Sequence, residues 1–546
     1  LGFNIKKSKQ AEHTDWGVLS APIYVSEKSG AEDGSNEEGT QTHPFKTLAY
    51  AVSKLSGGEP DTIFIDGNLT ANQSIPSTFT TSNCSSLTIM GANNIENGQI
   101  KDKDNPTDAI AIPSDGSGTA LTINSAVPIT IFNLKFTGGK AGGIKIEGSD
   151  TSRLNVTLKD MLITGNSNTG NGMGLYASYA DVTMQSGSIS GNSGTNTGSH
   201  GGVALNDSSK FFMYGGKVSG NTAKQFGGNL YLNGSSEFIL NDGEISGGLV
   251  ESSTTEVSGG GAWIDGSSTL TMKGGEIKGN KTNYKGSSSS SKSQGGGVYV
   301  ATGTFDMQGG KMSGNQTVST MGNVLGGAVI VQSSGTLKLS GTACIQYEND
   351  NKHDVYLRYG KTVTVDSFTG DAPTVAAITL EYWTRKTNYL SSSNVITPAQ
   401  TGKFILTKDN DGWEKTIETT YRKTAYIDSP IYVVDANDPD DSGKTRPAGF
   451  EKGKTSGATG TKTSPYASIA AALGCDDLTI ASNTITVVGT VKGVQTVSGK
   501  TVTIEGYKAE GATSSSAKLD GISGGSTLTV DASGKTVTIK DLTITG

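Results

Sequence analysis

The side chains able to do chemistry are few and scattered. Four histidines, His13, His43, His200 and His353, have no partner motif, and only His200 stands in a glycine-flanked run, Ser199-His200-Gly201-Gly202. Cys84, Cys344 and Cys475 are odd in number and far apart, so they make neither a disulfide framework nor a metal motif. The loop Asp435-Ala436-Asn437-Asp438-Pro439-Asp440-Asp441 is acidic enough to hold calcium through Asp435, Asp438, Asp440 and Asp441. It lacks the glycine and closing glutamate of an EF-hand loop, and a solvated loop is the better account of it. Lys217, Glu244, Glu276 and Lys311 fall in one column, where side-by-side opposite charges form a solvated ladder. No pairing suited to general acid–base work is visible, so no catalytic residue and no cofactor are expected.

Aromatic residues are better organised. Tyr176, Tyr231, Trp263 and Tyr299 occupy one position of a recurring pattern, with Ala204 and Val329 at the same place in other copies. An exposed aromatic strip with a polar rim can stack sugar rings or a partner surface. The competing reading is that these rings pack on one another or beneath the long loops 249–259 and 281–295.

The elements that position them come from an internal repeat, shown most clearly by Gly295–Asn315, GGGVYVATGTFDMQGGKMSGN. First apolar anchors are Leu175, Val203, Leu230, Ala262, Val298 and Ala328. A second set follows at Val182, Phe211, Phe238, Leu270, Phe305 and Leu337, and a third at Ile189, Val218, Ile245, Ile277, Met312 and Ala343. Spacing within a repeat is nearly constant, and the length variation sits at the corner after the third set. Apolar residues alternate, as in Thr269-Leu270-Thr271-Met272, which places them on one face of a strand. Three short strands per repeat, each with one buried face, are satisfied by a coil stacked turn on turn. Gly-Asn pairs end the third strands (Gly191-Asn192, Gly220-Asn221, Gly279-Asn280, Gly314-Asn315), where stacked Asn side chains can form a ladder. Gly248 replaces Asn in one turn, which predicts a gap in that ladder.

Composition agrees. The chain has 546 residues, 76 of them Gly, and is 33% hydrophobic, which suits many turns and a thin core. A net charge of −7 gives no footprint for nucleic acid. No apolar run approaches the roughly 18 residues of a membrane span. Residues 1–20 are read as a leader or linker, 21–345 as the coil, 346–425 as a C-terminal β cap or appendage, and 426–546 as a second coil cut short. Phe45, Leu48, Ala49, Val52 and Leu55 recur at helical spacing behind Pro44, which predicts a short helix closing the first coil. The restart is explicit. Pro430-Ile431-Tyr432-Val433 follows Pro22-Ile23-Tyr24-Val25 by 408 residues, and Asp541-Leu542-Thr543-Ile544 follows Asn133-Leu134-Lys135-Phe136 by the same 408. The chain therefore reads as a piece of a longer tandem array.

Ile23-Tyr24-Val25 and Pro44-Phe45-Lys46-Thr47-Leu48 resemble the entry motif of bacterial right-handed parallel β-helix proteins of the pectate-lyase-like superfamily. The runs at 260–264, 296–300 and 310–315 are similar to repeats of large bacterial surface proteins, including the polymorphic outer-membrane proteins. Their Phe-x-x-Asn motif is matched once, by Phe226-Gly227-Gly228-Asn229. The resemblance implies an all-β, right-handed parallel β-helix at a bacterial cell surface. Such a protein would act as a stalk, adhesin or filament component that contacts a glycan, a protein surface or further copies of itself. Related folds also include polysaccharide lyases and hydrolases. Ser199-His200-Gly201 is similar to the Gly-His-Gly of polygalacturonases, but the paired acids and Arg-x-Lys of that family are missing.

Overall fold

The computed structural model describes residues 22–545 apart from 29–30, 32, 35–38, 94, 97–98, 101–104, 348–353, 371, 383–386, 408–413, 418–421, 429–430, 439–445, 447–449, 457, 459–460, 463, 475–483, 510–511 and 522–525. These residues fall into two compact units, Leu1–Ala377 and Ile378–Gly546.

The first unit is a parallel β-helix. Each turn contributes one strand to each of three long sheets. Leu175–Ser178, Val203–Asn206, Leu230–Leu232, Ala262–Ile264, Val298–Val300 and Val329–Val331 are successive strands of the first sheet. The second sheet carries Ala180–Met184, Lys210–Met213, Glu237–Leu240, Thr269–Met272, Thr304–Met307 and Thr336–Gly341. The third is ten-stranded and ends at Cys344–Ile345. Pairing is parallel and in register: Val182, Phe211, Phe238, Leu270, Phe305 and Leu337 stand one above another, all fully buried. The Phe211 and Phe238 rings stack 4.9 Å apart inside this core. Strict alternation thus becomes one continuous axial core, because a parallel stack repeats each inward position every turn.

The last regular turn differs from the sequence reading in register. Val298 pairs with Val329, not Ala328, so Ile330 rather than Val329 lies opposite Tyr299. Met312 pairs with Ile345, not Ala343. The coil also runs on past 345, through Val355–Leu357 on the first sheet and Val363–Phe368 on the second.

The variable corner is more ordered than its composition suggests. Short strands there build a six-stranded sheet ending at Lys281–Tyr284 and Gln316–Ser319, and a three-stranded sheet of Val257–Ser258, Lys292–Gln294 and Asn323–Leu325. They enclose a small core of their own, Met173, Ala223, Val250, Val257 and Tyr284.

The asparagine ladder is continuous where a gap was expected. The carboxamide Nδ2 of Asn166, Asn192, Asn221, Asn229 and Asn280 each donates to the Oδ1 of the next member, ending on Asn315, at 2.9 Å per step. Asn229 supplies the rung missing at Gly248, from the far side of the corner. A Cβ at residue 248 would lie 2.6 Å from Asn229 Nδ2, while in the preceding turn a Cβ at Gly202 would lie 2.4 Å from Asn221 Cγ. Asn and Gly have exchanged places across one corner, and the ladder is preserved.

The capping helix is shorter than predicted, Leu48–Ser53. Thr47 is its N-cap, and the Asp33 carboxylate accepts the Lys46 and Thr47 N–H groups. Phe45 is drawn out of the helix into a bridge with Val25. Gln73 Oε1 then accepts the Leu48 N–H at 2.9 Å.

In the second unit, Thr387–Ser391, Thr424–Asp428 and Glu414–Ile417 form antiparallel pairs. A coil then begins again with Ile431–Val433, Thr484–Val487, Val502–Gly506 and Val537–Lys540 in one parallel sheet. Its helix, Ile469–Leu473, is held by the same device, Gln495 Oε1 accepting the Ile469 N–H at 3.0 Å.

Candidate functional site

The four aromatic candidates lie on the outer face of the first sheet. Tyr176 pairs with Ala204, Ala204 with Tyr231, Tyr231 with Trp263, and Trp263 with Tyr299. Alternation aims these side chains away from the axial core, and parallel register stacks them. Ring centroids of Tyr231 and Trp263 are 4.9 Å apart with planes 7° from parallel, and those of Trp263 and Tyr299 are 6.5 Å apart at 9°.

Two further rings join the column. His200 and Phe226 pair by an isolated bridge just before the first strand of their turns. The His200 ring stacks on Tyr231 at 4.9 Å and on Phe226 at 5.1 Å, and Phe226 stacks on Trp263 at 4.9 Å. The shared sequence context, an aromatic or His followed by Gly-Gly, was the signal that tied them together. Tyr231 thus lies between His200 and Trp263, and Trp263 between Tyr231 and Tyr299. Tyr231 and Trp263 are only 8% and 7% exposed. Their faces are taken by neighbouring rings, and what remains outward is ring edge. The loops 249–259 and 281–295 have their own core and are not what the rings pack under.

Burial shapes the chemistry of the column. It pushes the Tyr299 hydroxyl up to about 12, with Glu256 adding to the effect. It pulls the His200 imidazole down to about 4, so the ring is neutral near neutral pH. His200 Nδ1 and Trp263 Nε1 are buried without a hydrogen-bond partner.

The charged column is also as spaced: Lys217 pairs with Glu244, Glu244 with Glu276, and Glu276 with Lys311. The adjacent like charges are relieved by Lys278, whose Nζ lies 2.6 Å from Glu276 and 3.1 Å from Glu244. Hydrogen bonds from Ser246 and then Lys278 hold the Glu244 carboxyl below its ordinary value.

Of the four carboxylates considered for calcium, Asp440 and Asp441 lie outside the described residues. Asp438 Oδ2 meets Arg446 Nη1 at 2.5 Å in a buried ion pair, so a guanidinium supplies its counter-charge. Asp435 accepts the N–H groups of Asn437 and Lys492 at 2.8 Å. Among the described residues no group of three or more His, Cys, Asp or Glu is placed to hold a metal ion. No helix among them is long and apolar enough to cross a membrane.

Comparison with known proteins bears on the fold. No curated protein and no solved structure matches the chain. Residues 117–309 match the family model described as right handed beta helix region. That stretch spans the turns whose parallel register carries the core, the asparagine ladder and the aromatic column, and this part of the chain is a right-handed parallel β-helix.

Proposed function

We propose that the chain is a structural element of a bacterial surface protein, a stiff spacer belonging to a stalk, adhesin or filament rather than an enzyme. The observation that carries this reading is the repetition of a complete building device. The same entry strand, Gln-held helix and parallel restart occur at Ile23 and again at Ile431. A tandem array of coils extends reach, whereas a single catalytic centre has no need of it. In this reading the aromatic column is a stiffening seam whose outward edges contact a glycan or protein surface, Tyr176 and Tyr299 being its less buried rings.

The test has two arms. Antibody against the chain should label intact cells that produce it. The purified chain should release neither unsaturated nor reducing ends from pectin, polygalacturonate or neutral polysaccharides. Sustained turnover of any of these would replace the spacer reading with a carbohydrate-active enzyme of the same fold.

A further inference from the structure

One concave feature lies away from the aromatic column. A groove of about 540 Å³ lies at the corner between the second and third sheets, lined by Asp160, Leu162, Ser186, Ser188, Ser190 and Lys217, with Met161, Gly187 and Gly216 in its floor. That volume is within the range of small-ligand sites. The floor is low because glycines stack there. A Cβ at Gly187 would lie 2.4 Å from the Met161 carbonyl oxygen, and one at Gly216 would lie 2.4 Å from that of Gly187. Both glycines have positive φ, so side chains are excluded at this corner on two counts.

The lining is mixed in a particular way. Asp160 is oriented by Ser186, whose hydroxyl donates to Oδ1 at 2.7 Å and accepts the Asp160 N–H at 3.0 Å. Ser188 donates to Ser190 at 2.9 Å, which lines up two hydroxyls along the third sheet. Leu162 stands on the outer face of that sheet in register with Ser188, and Ser188 with Lys217, so one apolar, one hydroxyl and one cationic side chain follow one another turn by turn.

We propose that this corner is a binding site for a neutral glycan. Hydroxyl groups of a sugar both donate and accept, matching the carboxylate of Asp160, the Ser186, Ser188 and Ser190 hydroxyls and the ammonium of Lys217. The C–H face of a pyranose matches the apolar surface of Leu162. One carboxylate and one ammonium leave the groove without net charge, which favours neutral chains over polyuronates. The site is separate from the aromatic column and does not depend on the spacer reading.

The test is affinity electrophoresis of the whole chain in gels containing dextran, galactomannan, xyloglucan, laminarin or polygalacturonate. The expected result is retardation by at least one neutral polysaccharide and none by polygalacturonate. Asp160→Asn and Lys217→Ala should each weaken that retardation at least tenfold. Ser188→Trp, which fills the groove from an outward position, should abolish it, with circular dichroism and the thermal midpoint of all three variants unchanged. Tyr231→Ala should leave retardation at the wild-type level. Failure of every neutral polysaccharide to retard the chain, retention by polygalacturonate alone, or full retardation of Ser188→Trp would each overturn the assignment.

Discussion

Replacing Asn229 with Gly should be among the most damaging single changes on the coil, and the damage should be repaired in part by a second change at Gly248. Asn229 is fully buried. Its Oδ1 accepts from Asn221 Nδ2 at 2.9 Å and from the Asn221 backbone N–H at 3.3 Å. Its Nδ2 donates to the Ser246 carbonyl and to Asn280 Oδ1, both at 2.9 Å. Truncation leaves two buried donors on Asn221 unmet, at about 1–3 kcal/mol each, so the loss should be about 3–5 kcal/mol. Gly248→Asn alone should also destabilise, by about 1–3 kcal/mol, because its Cβ would lie 2.4 Å from the Gly260 carbonyl oxygen and 2.6 Å from the Asn229 carboxamide nitrogen. If the two positions share one rung, the double variant returns a carboxamide to that rung. It should then be more stable than Asn229→Gly alone, with a coupling of about 2 kcal/mol or more. The assay is urea unfolding followed by far-ultraviolet circular dichroism, with amide exchange at Asn221 as the local readout. Additive losses, or an Asn229→Gly variant within about 0.5 kcal/mol of wild type, would refute the shared-rung argument.

Other outcomes follow from the same geometry. Trp263→Ala removes contacts with Tyr231, Phe226 and Tyr299 and should lower unfolding stability by about 3–5 kcal/mol; a loss below about 1 kcal/mol would show that the column is not a packed seam. Glycan-array profiles of Tyr231→Ala, Trp263→Ala and Tyr299→Ala, compared with wild type, test whether ring edges also recognise a ligand, and unchanged profiles would assign the column to packing alone. His200 stays neutral in the fold down to about pH 4, whereas a histidine in an unfolded chain titrates near 6.5. The unfolded chain therefore binds more protons between those values, and stability should fall as pH is lowered from 6.5 to about 4. The wild type should show this slope in excess of His200→Phe, and parallel curves would contradict it. Arg446→Ala takes the guanidinium away from the buried Asp438 carboxylate and should destabilise the second coil by about 3–5 kcal/mol, with little dependence on salt. Thermal unfolding at low and high ionic strength checks this.

Much of the architecture was legible because outward and inward positions alternate through the strands of the regular turns, as at Phe305 and Met307. Register failed where small residues blurred it. Ala328 follows Gly326-Gly327 and looks like the first apolar residue of its strand, but Val329 takes that place, opposite Val298. The displacement of Ala343 by Ile345 accompanies a register shift between Leu339 and Gly341 on the preceding strand. The continuous ladder was hidden for another reason. Asn229 and Gly248 are neighbours across a corner but belong to opposite ends of one turn, and linear spacing does not pair them. The corner lobe was hidden by its serine run, although Thr282 and Tyr284 carry the alternation that buries them beside Val250. At the aromatic column the positions were legible, and so was packing of the rings on one another, as the alternative to an exposed strip; that His200 and Phe226 join the column was not. Outward placement predicts exposure for a lone ring, whereas stacked rings at strand spacing cover one another. The groove at Asp160 left no motif, because it comes from glycines at a corner rather than from the residues that line it.

The central claim, one coil rising by a strand spacing per turn, is open to direct measurement. Thr88 and Lys338 lie on one outward column, linked through Thr130, Thr157, Thr183, Phe212, Ile239, Thr271 and Asp306. Eight steps at about 4.8 Å place their backbones roughly 38 Å apart. Spin labels at these two positions, with the native cysteines replaced, should give one narrow distance distribution near that value by pulsed electron resonance. A broad distribution, or a maximum many ångströms shorter, would mean that the turns do not stack as described.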